Sequence, residues 1–181
     1  MTLAADDFLE RLEAGDIDEG ESFVGIDLSG ADLSGQVLSG IDLTRADLSG
    51  ANLSGAILLE TNLSSADLTD ATFSEADFTG ANLAGADLTS GQGEAANFTD
   101  ANLSGATMIT TVLTDAEFND ADLSGADLTE ALLNGAVLTG ADLTGANFSA
   151  ADLTDADLAD AAIDEAVFDD AIGYEVEEED Y

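Results

Sequence analysis

Residues 46–55 read ADLSGANLSG, which is one five-residue pattern written twice. The pattern continues in a single register through thirty pentads, residues 21–170, of which 29 have a large apolar residue at the centre. Ala stands two places before the centre in 23 of these pentads, and Asp or Asn stands one place before it in 18. This constant spacing of five identifies a repeat protein, and Gly93 is the one centre that departs from it.

A period of five matches neither the helical period of 3.6 residues nor the plain alternation of a strand. It matches a short strand followed by a corner. Residues two apart in a strand share a face, and the Ser/Thr-Gly/Asp pair favours a turn. If each corner turns the chain by about 90°, four pentads close a square coil of about 20 residues. The Ala and central Leu side chains then fill a dry core, so any function lies on the outer surface or at the ends.

The pattern resembles that of the pentapeptide repeat family, whose consensus is A(D/N)LXX. Residues 46–50 and 121–125, both ADLSG, match this consensus directly. The resemblance covers residues 21–170 and implies an all-β fold, a right-handed quadrilateral β-helix, here with about 7.5 coils. It also implies a class of partner, because some members resemble B-form DNA and inhibit or protect type II topoisomerases such as DNA gyrase.

The residues before the repeats, 1–20, predict an N-terminal helical cap. A helix over residues 2–14 places three apolar side chains on one face, those of Phe8, Leu9 and Leu12. Solenoids need terminal caps, so we expect this helix to cover the open edge of the first coil. A partner-binding helix is the alternative.

The residues after the repeats, 171–181, predict an acidic C-terminal tail. Its carboxylates are expected to be solvated. Its apolar residues, Tyr174 and Val176, either cover the last coil or pair with a second copy of the chain.

Residues 90–94 read SGQGE and break the motif without breaking the count. Because Gly93 leaves the core short of one large side chain, we expect a bulge or a small loop here. Pentad 91–95 either stays in the coil or is looped out, and each path predicts a column of phenylalanines. A retained pentad aligns Phe78, Phe98 and Phe118. An excluded pentad aligns Phe73, Phe98 and Phe118. Family members that act on DNA gyrase can carry loops that break the coil, so this position matters for function.

The composition excludes several functions. The chain has 40 Asp and Glu against two basic residues, Arg11 and Arg45, a formal net charge of −38 that opposes direct binding to nucleic acid phosphates. It has no Cys and no His, hence no thiol nucleophile and no imidazole base or metal ligand. We therefore predict no enzyme, no cofactor and no metal site. No signal peptide and no apolar run of about 20 residues is visible, which predicts a cytoplasmic protein with no membrane contact.

Positions twenty residues apart share a face, which places four aspartates in one ladder: Asp27, Asp47, Asp67 and Asp87. Rungs about 4.8 Å apart bring like charges close together, so the ladder requires counterions or high salt. Residues 21–170 carry 28 acidic residues and one Arg, which gives one net charge per about 1.3 Å of rod, against about 1.7 Å in duplex DNA. The ladder is our candidate binding surface for a protein with a basic groove, such as DNA gyrase.

Two other interpretations of the charge remain open. Adaptation to molar salt also replaces Lys with Asp and Glu, and the acids are not confined to the repeats. On that interpretation the chain is a salt-adapted scaffold or a homodimeric binding module whose partner is unrelated to DNA. Cation binding along the ladder is the third hypothesis.

Apolar residues at outward positions form two candidate contact patches. The first contains Val37, Ile57 and Leu59. The second contains Ile109, Val112, Leu132 and Val137. On so acidic a surface, such clusters indicate contact with another protein or with a second copy, while drift among tolerated outward residues is the alternative.

Overall fold

The computed structural model describes residues 5–174, which form one helix followed by an uninterrupted series of pentads. Helix α1 spans Ala5–Ala14. The β-structure consists of isolated parallel bridges that join residues twenty apart, from Ser22↔Asp42 to Asp152↔Ile172. Four pentads therefore make one coil, as the sequence predicts. Each predicted short strand is a single bridging residue rather than an extended segment.

Each pentad turns the chain by the same local geometry. In the pentad of Leu48, the Ala51 N–H closes the corner on Leu48 O at 3.0 Å, and the Leu48 N–H bonds Asp67 O in the next coil at 2.7 Å. The residue two places after each centre has a positive φ, as in Gly50 at 62°. Type II turns require this conformation, and glycine adopts it at no steric cost.

The core contains the centres and the Ala residues, as predicted. Centres from Leu28 to Leu153 are at most 1% exposed, apart from the side-chain-free Gly93. Burying a Leu or Phe side chain is worth about 1.5–3 kcal/mol before chain entropy is subtracted. The stacked coils thus bury their large apolar side chains in one continuous core.

Two polar side chains are buried in this core, and both stand where Ala is usual. Thr61 and Thr111 donate from Oγ1 to the carbonyl oxygens of Leu38 and Leu88, at 2.7 and 2.9 Å. Leu88 O also accepts the turn bond from the Gly91 N–H, at 2.9 Å. Among the corners of the described solenoid, the one at Leu38 lacks this turn bond, so Thr61 supplies its donor.

The expectation of a bulge or loop at Gly93 is wrong. Gln92 is bridged both to Thr72 in the coil before it and to Val112 in the coil after it, so pentad 91–95 stays in the coil. The phenylalanine column is the one that a retained pentad predicts. The rings of Phe78, Phe98 and Phe118 stack with centroids 4.8 and 5.0 Å apart and interplanar angles of 7° and 6°.

Phe73 explains why the core tolerates a glycine at this centre. Its fully buried ring lies in the space that a side chain at Gly93 would fill: a Cβ there would be 2.6 Å from Phe73 Cδ2 and would overlap Cε2. A Cβ at Gly91 would be 2.6 Å from Phe73 Cε1. The ring also meets Phe78 edge-on, with centroids 5.9 Å apart. The core is therefore filled from the neighbouring coil rather than relieved by a bulge.

The N-terminal end of the solenoid is covered by α1. Phe8 is fully buried and packs edge-on against Phe23, with centroids 4.8 Å apart. Arg11 Nη2 donates to both carboxylate oxygens of Glu21, at 2.7 and 2.8 Å. The predicted start of the helix at residue 2 lies outside the described residues. Within residues 5–174, no helix is long and apolar enough to cross a membrane.

The C-terminal end is more open. Leu158 and Phe168 are half-buried, and Ile163 is 42% exposed. Tyr174 stacks on Phe168 with ring centroids 3.8 Å apart, so it partly covers the last coil. Val176 lies outside the described residues.

Candidate interaction surface

The four aspartates of the predicted ladder lie in register on one face. Parallel bridges join Asp27 to Asp47, Asp47 to Asp67 and Asp67 to Asp87. Asp27 and Asp67 are exposed, and the other two are partly exposed. At the spacing of paired strands, about 4.8 Å, these carboxylates repel one another and attract any cationic group that approaches the face.

The corner that follows each ladder aspartate holds its side chain. Asp27 Oδ1 accepts hydrogen bonds from the Ser29 N–H and hydroxyl, at 3.1 and 2.7 Å. Asp67 Oδ1 accepts the same pair from Thr69, at 2.9 and 2.7 Å. Bonds from the Ser29 hydroxyl and amide lower the pKa of Asp27, because they stabilise the ionised form. The repeat motif itself thus orients the carboxylates.

The neighbouring face shows why the ladder is unusual. There, amides follow Asp42: Asn62 Nδ2 donates to Asp42 Oδ1 at 3.3 Å, and Asn82 Nδ2 donates to Asn62 Oδ1 at 3.1 Å. Two acids, Asp122 and Asp142, are bridged directly further along that face. The four consecutive aspartates from Asp27 to Asp87 have no such amide between them. This run therefore concentrates negative charge on one face.

Little of this charge is balanced within the protein. In the part of the chain that the structure describes, the one salt bridge joins Arg11 to Glu21, while Arg45 is exposed at a corner. Across residues 5–174, no three acidic side chains converge as a metal site would require. The carboxylates project side by side from a flat face, which favours a large cationic surface as the ligand.

The first apolar patch is brought together. Val37 and Ile57 are bridged, and Leu59 lies two residues beyond Ile57. Their exposed fractions are 60%, 38% and 37%. Val37 lies ten residues, or half a coil, after Asp27, so this patch and the ladder occupy opposite faces.

The second group is not one patch. Val112 and Leu132 are bridged on one face, Val137 is bridged to Glu117 on the next, and Ile109 belongs to the face of the ladder. Leu132 is the one exposed member, at 42%, and the other three are partly buried. The structure thus spreads these residues across three faces.

Sequence reasoning missed a groove beside the first patch. Its volume is about 250 Å³, and its walls are Glu19, Ser39, Gly40, Leu59 and Glu60. The signal was present in the spacing: Gly40 stands twenty residues from both Gly20 and Glu60. Gly20, Gly40 and Glu60 therefore occupy equivalent corners of successive coils, and the two glycines leave an indentation beside the glutamate.

Comparison with known sequences finds the repeat over most of the chain. A family model described as Pentapeptide repeats matches it with 8 copies, at residues 26–64, 56–90, 96–135 and 131–170. Residues 91–95 fall between the matched segments, although the coil continues through them. No curated protein sequence matches the chain.

Two solved structures are similar over most of their length. HetL is a pentapeptide repeat protein involved in heterocyst differentiation regulation in the cyanobacterium Nostoc sp. strain PCC 7120. It is 27% identical, with a TM-score of 0.58 over 94% of this chain and 98% of HetL. QnrB1, a plasmid-mediated fluoroquinolone resistance protein, is 28% identical, with a TM-score of 0.64 over 81% of this chain and 79% of QnrB1.

Proposed function

Because this chain belongs to the pentapeptide repeat family, we propose that it is a non-catalytic interaction module that presents a rigid, highly acidic surface to a partner protein. The observation that carries the proposal is the ladder of in-register aspartates, Asp27 to Asp87, on a solid core. The proposal takes residues 21–170 as a right-handed quadrilateral β-helix of about 7.5 coils, residues 1–20 as its cap and residues 171–181 as its tail.

The partner we propose is a type II topoisomerase, with the rod occupying a groove built for DNA. The linear charge of the repeats, one per about 1.3 Å, exceeds that of duplex DNA, one per about 1.7 Å. Likeness to QnrB1, a fluoroquinolone resistance protein, makes DNA gyrase the first candidate to test. The partner would supply the Lys and Arg side chains, and release of counterions from both surfaces would favour binding.

The chemistry of the side chains supports binding over catalysis. A general acid needs a carboxyl group with a raised pKa. In each aspartate whose pKa shift is resolved, as in Asp27 and Asp152, hydrogen bonds from the Ser or Thr two residues on lower the pKa, and in Glu21 the hydrogen bond from Arg11 lowers it. These carboxylates stay ionised on an exposed face, where they attract cations but do not transfer protons.

A supercoiling assay with DNA gyrase from a salt-loving organism tests the mimicry, in the salt that the enzyme prefers. We expect inhibition or protection at stoichiometric excess. Asp→Asn substitution at all four ladder positions should weaken the effect at least about tenfold, because each lost ion pair across the interface contributes. Asn keeps the acceptor that the corner needs, as Asn52 does for Ser54 at 3.1 Å.

The matched control removes the same charge elsewhere, by Asp→Asn substitution at Asp100, Asp120, Asp155 and Asp160. These aspartates have positive φ, which Asn tolerates. An equal loss in both variants means that net charge alone acts. No effect of the unsubstituted protein at excess discards the mimicry.

A salt-adapted scaffold or homodimer is the second candidate function, and the open C-terminal coil favours a second copy as the partner. Three apolar side chains stand exposed there: Ile163 at 42%, Val167 at 39% and Ile172 at 59%. Sedimentation at several concentrations tests this candidate. A dimer that Ile163→Ser and Val167→Ser dissociate supports the homodimer, and a monomer at all concentrations refutes the homodimer. The cytoplasmic location stays a prediction.

A further inference from the structure

The groove beside the first apolar patch arises from a missing side chain. Gly20, Gly40 and Glu60 occupy equivalent corners of three successive coils, and the Gly40 N–H bonds Leu59 O at 2.9 Å. At the middle corner, a groove of about 250 Å³ is lined by Glu19, Ser39, Gly40, Leu59 and Glu60, and Glu19 Cγ would lie 3.3 Å from a Cβ at Gly40. We call this groove, together with its lining residues, the Gly40 groove.

An apolar strip adjoins the groove. Leu59 lines it, and the bridged pair Val37 and Ile57 lies beside it on the same face. Val37, at 60%, has the largest exposed fraction of any large apolar side chain within residues 5–174. Asp or Asn is usual at its position in the pentad, so the strip replaces charge with apolar surface that a partner can bury.

A side-chain hydrogen bond anchors the corner that carries the groove. Thr61 Oγ1 donates to Leu38 O at 2.7 Å, which fixes the corner that carries Ser39 and Gly40. Leu38 itself is 1% exposed. A preorganised surface loses little entropy on binding, so even a small contact area gives measurable affinity.

Charge identifies the occupant. Two acidic residues, Glu19 and Glu60, line the groove next to the apolar Leu59. We propose that the Gly40 groove binds a basic peptide segment of a partner protein, in which a Lys or Arg reaches these carboxylates and an adjacent apolar side chain packs on Val37 and Leu59. A second copy of this chain fits poorly, because it has two basic residues and Arg11 is paired with Glu21.

This inference rests on the proposal that the chain is an interaction module, but it uses the face opposite the ladder. The two can therefore fail separately. Ladder substitutions should weaken the effect on DNA gyrase and leave peptide binding at the groove intact, while Leu59→Ser should weaken peptide binding and leave the effect on DNA gyrase intact.

The test titrates a short synthetic peptide, two leucines between a lysine and an arginine, into isotope-labelled protein while amide signals are followed by NMR. Molar salt reduces the Debye length to about 3 Å, so long-range attraction to the polyanion is suppressed. We expect the signals of Ser39, Gly40 and Leu59 to shift. The same peptide with serines for leucines should bind at least about tenfold more weakly.

Two variants with matched controls locate the site. Leu59→Ser removes apolar surface, and Gly40→Asn fills the gap, because a Cβ at Gly40 lies 3.3 Å from Glu19 Cγ. Each should weaken binding about tenfold. The controls are Leu132→Ser, on another face, and Gly125→Asn, where a Cβ meets nothing within 4 Å; both should change affinity less than about twofold. Equal effects in variants and controls, or shifts centred on the ladder, would overturn the proposal.

Discussion

The contact between Phe73 and Gly93 predicts that restoring the repeat consensus will harm the protein unless two coils change together. Gly93→Leu gives the pentad a large apolar centre, as 29 others have. The Phe73 ring already occupies the space for that side chain, because a Cβ at Gly93 would lie 2.6 Å from Phe73 Cδ2. The single substitution therefore overpacks the core.

The magnitudes follow from the buried geometry. Overpacking a dense core costs about 1–3 kcal/mol, and we expect about 3 because the overlap begins at Cβ. Phe73→Leu alone withdraws the ring from between Gly91 and Gly93 and leaves a cavity, at a cost of about 1–2 kcal/mol. The double variant gives two successive coils the centres of the coil with Leu103, Met108, Leu113 and Phe118, except that Leu replaces Met in the first of them. It should lose about 1 kcal/mol or less, so the two substitutions are coupled by about 3 kcal/mol.

Urea denaturation followed by circular dichroism, at one fixed salt concentration, measures the four free energies of unfolding in this cycle. The control cycle pairs Gly93→Leu with Phe148→Leu. Phe148 stacks on Phe168, away from Gly93, so its cycle should be additive within about 0.5 kcal/mol. A double variant of Phe73 and Gly93 that loses the sum of the single costs would refute the reasoning, because Phe73 would then not fill the space above Gly93.

Corners and charge provide the other predictions. Thr61→Val should lower the free energy of unfolding by about 1 kcal/mol more than Thr111→Val does. In Thr111→Val, Leu88 O keeps its hydrogen bond from the Gly91 N–H, whereas in Thr61→Val, Leu38 O loses its donor. Equal losses in the two variants would contradict this. Thr110→Gly should stabilise the protein by about 1 kcal/mol, because Thr110 is β-branched and has a φ of 55°. Thr129, by contrast, has no positive φ, so Thr129→Gly should destabilise the protein. Thermal melting of the two variants measures both effects. In molar salt, the free energy of unfolding should fall as the pH drops below about 4. Hydroxyl and amide hydrogen bonds lower the pKa of five aspartates in the folded protein. These five are Asp27, Asp32, Asp42, Asp142 and Asp152. The stability that these aspartates contribute is therefore fully present above the ordinary aspartate pKa and is lost as the pH falls through the lowered pKa. A free energy of unfolding that does not change with pH in this range would exclude the contribution. At neutral pH, lowering the salt from molar to dilute should lower the melting temperature, and an unchanged value argues against repulsion along the faces.

The period and the inward residues were predictable because each pentad repeats one local rule. Once Leu48 and Leu53 point inward, a spacing of five fixes the remaining centres and a spacing of twenty fixes the bridges. The ladder followed from that spacing without knowledge of any side-chain contact.

Departures from the pattern were not predictable, because they depend on contacts between coils. The sequence near Gly93 does not reveal that the Phe73 ring, twenty residues earlier, fills the space. The spacing of Gly20, Gly40 and Glu60 signals the Gly40 groove, but its full lining also includes Glu19 and Leu59, which only the structure brings together. Single pentads specify the core, whereas exceptions require two or three coils to be considered at once.

The twenty-residue pitch also determines how insertions and deletions act on this chain. Removing one pentad, such as 91–95, keeps every later centre in the core but moves each later residue to the preceding face. Val112 would then lie beside Asp87 in the next coil, in the place that Thr107 now occupies. Loss or gain of four pentads changes the length by one coil and leaves the faces aligned. Evolution can therefore exchange surfaces in quarter-turn steps, by copying or losing pentads, without redesigning the interior.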